Sequence, residues 1–229
     1  MKTIGLIGGV SWESTAIYYS LINREVQRRL GGFHSAKIVL FSVDFAELEI
    51  LARTSQWDAL AVRLSDAAQA LERAGADMIL LCANTMHHDA GRVAQSVSLP
   101  LLHICDCTAE RITAQGLKRV ALLGTAYTMN EDFYKDRLRV NGLEVVVPDA
   151  TDRATVNRVI FEELVLGKVE AASRQAYREI IARQVAIGAQ GVILGCTELP
   201  MLVKPEDSAV PLFDTTELHA LAAVDLALS

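Results

Sequence analysis

Cys196 stands at the junction of an apolar run and a polar turn, where Gly191-Val-Ile-Leu-Gly195 leads into Cys196-Thr197-Glu198-Leu199. A thiol after a strand and ahead of a helix start meets backbone N–H groups and the positive end of a helix dipole. Both favour thiolate over thiol, which predicts a sulfur usable as a base or nucleophile at neutral pH. The same device is written earlier, where Ala74-Gly-Ala-Asp-Met-Ile-Leu-Leu81 leads into Cys82-Ala83-Asn84-Thr85. Asn84 and Thr85 bring amide, hydroxyl and backbone donors that can hold a carboxylate and cap a helix at once. In the register of the repeat, Ala83 rather than Cys82 matches Cys196. Neighbouring side chains on a strand point to opposite faces, so Cys82 reaches the side that Cys196 takes only if the chain bends directly after it.

The elements that must carry these turns are also written twice. Ile4-Gly-Leu-Ile-Gly8-Gly9 is echoed by Val120-Ala-Leu-Leu-Gly124-Thr125. Glycines after a strand allow a ligand to approach the backbone closely. The hydropathy pattern predicts a strand over 1–6, a helix over 13–30 and a strand over 37–43. A helix over 57–74 and a wholly apolar strand over 77–81 follow. Beyond them come a helix over 85–96, a strand over 100–104 and a helix over 108–115. The cycle restarts with a strand over 119–123, a helix over 128–141 and a strand over 143–147. Two helices flank Gly167, a strand covers 191–194, and Asp214 or Thr215 caps a final helix over 215–228. Uninterrupted apolar strands between helices point to parallel sheets covered on both faces.

The expected architecture is therefore α/β with two pseudo-symmetric domains, each a mostly parallel sheet flanked by helices. The first spans 1–104 and is completed by the C-terminal helix 214–229; the second spans 105–213. Ligands favour the carboxyl ends of parallel strands, which places the expected active site in the cleft between the domains.

Composition narrows the class. The 229 residues are 51% apolar, enough for buried sheets without covalent staples. Twenty-two basic against 28 acidic residues give a net charge of −6, and the basic residues form no stripe that could follow a phosphate backbone. Nucleic acid is not an expected partner. No apolar run reaches the roughly 20 residues that cross a bilayer, and no secretory signal is evident, so a soluble cytoplasmic protein without a membrane partner is expected. Four cysteines, Cys82, Cys105, Cys107 and Cys196, are too few for a disulfide scaffold and are read as thiols. Cys105 and Cys107 lack the nearby ligands of a metal cluster, so no metal is expected.

Four segments together carry a family resemblance: Ile4-Gly-Leu-Ile-Gly-Gly-Val-Ser-Trp-Glu-Ser-Thr15, Cys82-Ala-Asn-Thr-Met-His87, Gly195-Cys-Thr-Glu-Leu199 and Phe213-Asp-Thr-Thr-Glu-Leu-His-Ala220. They resemble the aspartate/glutamate racemase family, particularly its broad-specificity or L-aspartate/glutamate branch. The resemblance implies a cofactor-independent enzyme, without pyridoxal phosphate, that moves the α-proton of aspartate, glutamate or a broader range of amino acids. It also suggests a homodimer. One base removes the Cα proton and another supplies a proton to the opposite face. Cys196 matches the second base, while the usual first-base position holds Ala83, with Cys82 one place earlier. Asn84, Thr85 and Thr197 are expected to hold the α-carboxylate. Lys168 matches a position that holds a side-chain carboxylate, and Ser11, Trp12, Thr125 and Thr128 match positions bordering the pocket.

Should Cys82 not reach, His87, Glu198 or a water must serve the far face. The departure at Ala83 leaves two rivals open. One is a one-cysteine decarboxylase or a cis-trans isomerase of dicarboxylic acids; the other is a non-catalytic carboxylate binder.

Overall fold

A computed structural model describes all residues 1–229. The chain divides into two compact units, Met1–Ile104 with His219–Ser229, and Cys105–Leu218. In the first, the strands are β1 (Ile4–Gly8), β2 (Ile38–Ser42), β3 (Met78–Leu81) and β4 (Leu101–Leu102). In the second they are β5 (Arg119–Gly124), β6 (Glu144–Val146), β7 (Val192–Gly195) and β8 (Leu212–Asp214). The orders are β2-β1-β3-β4 and β6-β5-β7-β8, and every pairing is parallel. The repeat seen in the sequence is thus a repeat of topology.

Each face of the first unit's sheet is covered by its own apolar cluster, and the two-residue strand period decides which residue joins which. Ile79, Leu81 and Ala83 pack with Leu60, Leu64 and Ala68 of the helix Trp57–Arg73. Met78, Leu80 and Cys82 pack with Tyr18, Ile22 and Val26 of the helix Trp12–Leu30, and with Ala220, Ala223 and Val224. Burial rather than propensity holds the helix Trp57–Arg73: a fully buried Leu contributes about 1.5–3 kcal/mol, against a few tenths per residue for helix preference. The second unit gathers Ala121, Leu123, Val192, Leu194 and Cys196 with Val156, Val159, Tyr177 and Ile181.

Several expected elements change. The helix Phe45–Arg53 was hidden in a segment without strong periodicity; Asp44 caps it by accepting from the Ala46 N–H at 3.1 Å, and Leu48 and Ala52 are its buried residues. The expected helix over 128–141 is two pieces, Ala126–Asn130 and Asp132–Val140, parted by the extended backbone of Glu131. The expected helix over 85–96 begins as a 3₁₀ turn, Thr85–Asp89, before Ala90–Gln95. The helix expected over 108–115 starts earlier and runs Ile104–Thr113, because Ile104 and Cys105 are fully buried and belong to packing rather than to a longer strand.

Two glycines set the turns that end the strands. Gly9 has φ +93, and a Cβ there would lie 2.3 Å from the Val43 carbonyl oxygen, so only glycine fits the turn after β1. The Gly9 N–H donates to Thr15 Oγ1 at 2.8 Å, and the same hydroxyl donates to the Ser11 carbonyl at 3.0 Å, fastening that turn to the first helix. Gly124 closes β5 where a Cβ would stand 2.8 Å from the Gly195 carbonyl. The turns after β5 and β7 consequently start side by side.

Candidate active site

In the second unit, Thr125 follows β5 and caps the helix Ala126–Asn130. Its Oγ1 accepts from the Thr128 N–H at 3.3 Å and lies 3.2 Å from the Thr128 hydroxyl. Both residues are buried. Cys196, Thr197 and Glu198 follow β7 directly, and Glu198 Oε2 accepts two hydrogen bonds: from Cys196 Sγ–H at 3.0 Å and from Thr197 Oγ1–H at 2.7 Å. A thiol, a hydroxyl and a carboxylate thus form one proton-sharing group at the carboxyl end of a central strand.

This arrangement corrects the expected ionisation of Cys196. Burial holds the thiol well above its ordinary pKa, and the negative charge of Glu198 and its hydrogen bond push in the same direction. The backbone N–H groups of Glu198 and Thr197 pull the other way, as a helix start should, but they are outweighed. The helix Leu199–Leu202 has only four residues, too short to build much of a dipole. The sulfur is thus held as a neutral thiol whose proton lies on a hydrogen bond to Glu198.

In the first unit, the turn after β3 carries Asn84, which is buried, and Thr85, which is half-buried. Cys82 is 1% exposed and its side chain lies in the core cluster around Tyr18 and Leu80. Ala83 points to the opposite face, with Ile79 and Leu81. Cys196 shares its face with Val192 and Leu194, so in backbone parity as in sequence register Ala83 is its counterpart. Burial pushes the Cys82 thiol far above its ordinary pKa. The Cys82 carbonyl accepts from Ser14 Oγ at 2.9 Å, which ties the turns after β1 and β3 together. Ser11 caps the helix Trp12–Leu30 by accepting from the Ser14 N–H at 3.3 Å, and Trp12 is exposed beside it. Lys168 is exposed in the link between the 3₁₀ turn Leu164–Leu166 and the helix Ala171–Ala186.

Glu198 is the residue whose position sequence reasoning undervalued. The signal was the adjacency Cys196-Thr197-Glu198, since a residue two places on in a tight turn can fold back onto a thiol. Cys105 is fully buried and Cys107 half-buried, both on the helix Ile104–Thr113. No cluster of three His, Cys, Asp or Glu side chains is placed to hold a metal, and no helix is long and apolar enough to cross a membrane.

Beside the turn after β3 lies a buried imidazole group. His219 Nε2–H donates to the Leu102 carbonyl at 3.0 Å, which leaves Nδ1 to accept from the Tyr18 hydroxyl at 2.9 Å. Burial foremost, with His87 adding to it, lowers the His219 pKa from 6.5 to about 3. Below pH 6.5 the unfolded chain binds a proton that the native state refuses, so stability is whole above that value and falls with pH. The loss from this one group reaches about 2 kcal/mol at pH 5. Urea unfolding at pH 7.5 and pH 5 should show that loss, and His219→Gln should remove about that much of the pH dependence.

Known proteins share the sequence pattern and the fold. The profile of the family described as Asp/Glu/hydantoin racemase matches residues 7–223. A Bacillus subtilis protein, the broad specificity amino-acid racemase RacX, is 25% identical over 99% of this chain and 98% of its own. A Yersinia pestis crystal structure assigned to the Asp/Glu racemases is 53% identical, with TM-score 0.96 and full coverage of both chains. An aspartate racemase homologue from Pyrococcus horikoshii is 39% identical, with TM-score 0.87 and full coverage of both chains.

Proposed function

Because the chain belongs to the Asp/Glu/hydantoin racemase family, we propose that it catalyses cofactor-independent proton transfer at the α-carbon of an amino acid, aspartate and glutamate foremost, with Cys196 as acid–base. The observation that carries this reading is the Cys196 Sγ–H to Glu198 contact of 3.0 Å at the carboxyl end of β7. Glu198 takes the thiol proton, the resulting thiolate removes the Cα proton, and the thiol then holds the proton for return. An α-proton is very weakly acidic, so the developing negative charge needs oriented donors on the carboxylate. Asn84, Thr85 and Thr197 are proposed for that task. Lys168 is proposed to meet a side-chain carboxylate, and Ser11, Trp12, Thr125 and Thr128 to border the substrate.

Inversion needs a second proton source, and Ala83 brings none. Cys82 would have to act from within an apolar core, so water at the face of Ala83 is the proposed donor. The test is a comparison of Cα deuterium uptake with inversion for L-aspartate, L-glutamate and a wider amino-acid panel. Uptake faster than inversion is expected, Ala83→Cys should raise inversion relative to uptake, and Cys82→Ser should leave the ratio unchanged. No uptake with any amino acid would sink the racemase reading. The missing group at Ala83 also favours a second reading, one-sided protonation after loss of carbon dioxide from a substituted malonate, which carbon dioxide release would detect.

A second copy of this chain is the proposed partner. The edge strand β2 leaves Leu40 and Phe41 exposed, with Phe33 fully exposed nearby in sequence, and an apolar strand edge invites pairing. Light scattering should give about twice the 24.9 kDa chain mass; the single mass would rule the dimer out.

A further inference from the structure

His87 holds the turn after β3 with both ring nitrogens. Nε2 lies 3.2 Å from the Ile104 N–H, which can only donate, so Nε2 accepts and carries no proton. The ring proton is therefore on Nδ1, which donates to the Ala83 carbonyl at 2.8 Å. The ring is 3% exposed and rests against His103 at 4.7 Å and His219 at 5.7 Å between centroids. Both nitrogens are committed to backbone, so the imidazole itself is not the missing proton donor.

Its consequence lies in the peptide between Ala83 and Asn84. A peptide unit is planar and trans, so the carbonyl of one residue and the N–H of the next point in opposite directions. Anchoring the Ala83 oxygen on the ring sets the direction of the Asn84 N–H. In the 3₁₀ turn that follows, the His87 N–H bonds the Asn84 carbonyl at 3.1 Å rather than Ala83, and the side chain takes the Ala83 oxygen instead. The bond to Ile104 ties the same ring to the first residue of the helix Ile104–Thr113.

We propose that His87 is a positioning residue: by bridging the Ala83 carbonyl and the Ile104 N–H as the neutral Nδ1–H tautomer, it aims the Asn84–Thr85 turn at the substrate carboxylate. This rests on the assignment of that turn to carboxylate binding. Two substitutions separate the two bonds. In His87→Asn the side-chain amide can still donate to the Ala83 oxygen, whereas His87→Gln can reach the Ile104 N–H but lacks the Ala83 bond.

The experiment measures steady-state Cα exchange and the ¹⁵N NMR spectra of wild type, His87→Asn and His87→Gln. The expected result is a KM raised about tenfold in His87→Gln with kcat within about threefold, and a KM within about threefold of wild type in His87→Asn, as for loss and retention of one oriented hydrogen bond. The Asn84 amide resonance should move in His87→Gln and stay in His87→Asn, and the wild-type ring should show a bare Nε2. Equal KM values in both variants, or an Asn84 resonance indifferent to His87→Gln, overturn the proposal. The NMR arm decides even if wild type exchanges no amino acid, so failure of the enzymatic reading is told apart from failure of this one.

Discussion

Cys196→Ser should lower kcat/KM for Cα exchange on the order of 10³-fold or more. The substitution keeps the size and the capacity to donate a hydrogen bond to Glu198, so the turn after β7 should persist. What it removes is an acid weak enough to hold its proton yet strong enough to release it to a carboxylate at 3.0 Å. A serine hydroxyl is several pKa units less acidic than a thiol, and a positioned acid–base contributes typically 10²–10⁴-fold. The measurement is deuterium incorporation under single-turnover conditions. Unfolding midpoints should stay within about 1 kcal/mol of wild type, since one buried sulfur-to-oxygen change leaves no cavity. Exchange surviving at more than a tenth of the wild-type rate would mean another group moves the proton.

Glu198→Gln separates charge from geometry at the same place. The glutamine is nearly isosteric and can still accept from Thr197, but it cannot take a proton from the thiol. We expect kcat to fall about 10²-fold. The sulfur should respond in the opposite sense. Glu198 raises the Cys196 pKa by its charge and by its hydrogen bond, so its neutralisation lowers the midpoint of a pH titration of Cys196 alkylation. A slower enzyme with a more readily ionised thiol is the signature of a carboxylate acting as proton acceptor. Were Glu198 only structural, the alkylation midpoint would fall with kcat unchanged; were the thiolate alone limiting, activity would rise. Alkylation should be followed in a Cys107→Ser background, because Cys107 is the one thiol of the four that is not buried, so that the signal is assigned to Cys196.

Much of the fold was legible because parallel α/β packing leaves a strong mark in one dimension. Met78–Leu81 and Val192–Gly195 are buried throughout, and such strands must read as unbroken apolar runs. The periodicity of Leu60, Leu64, Ala67 and Leu71 marked the helix Trp57–Arg73 in the same way. The helix Phe45–Arg53 escaped because only Leu48 and Ala52 are buried in it, too few to set a period. The break at Glu131 escaped for another reason: one extended residue between two helical segments leaves no mark in the spacing of apolar side chains.

Chemistry divided along a similar line. Register alone was enough to match Ala83 to Cys196, because the two-residue period of a strand is a local property that repeats in both halves. Charge state was not local. The thiol's proton is governed by burial and by a carboxylate folded back upon it, and the tautomer of His87 by a backbone N–H from Ile104, seventeen positions away. Desolvation and hydrogen-bond direction depend on what the folded chain brings within about 3 Å, which no spacing along the sequence encodes.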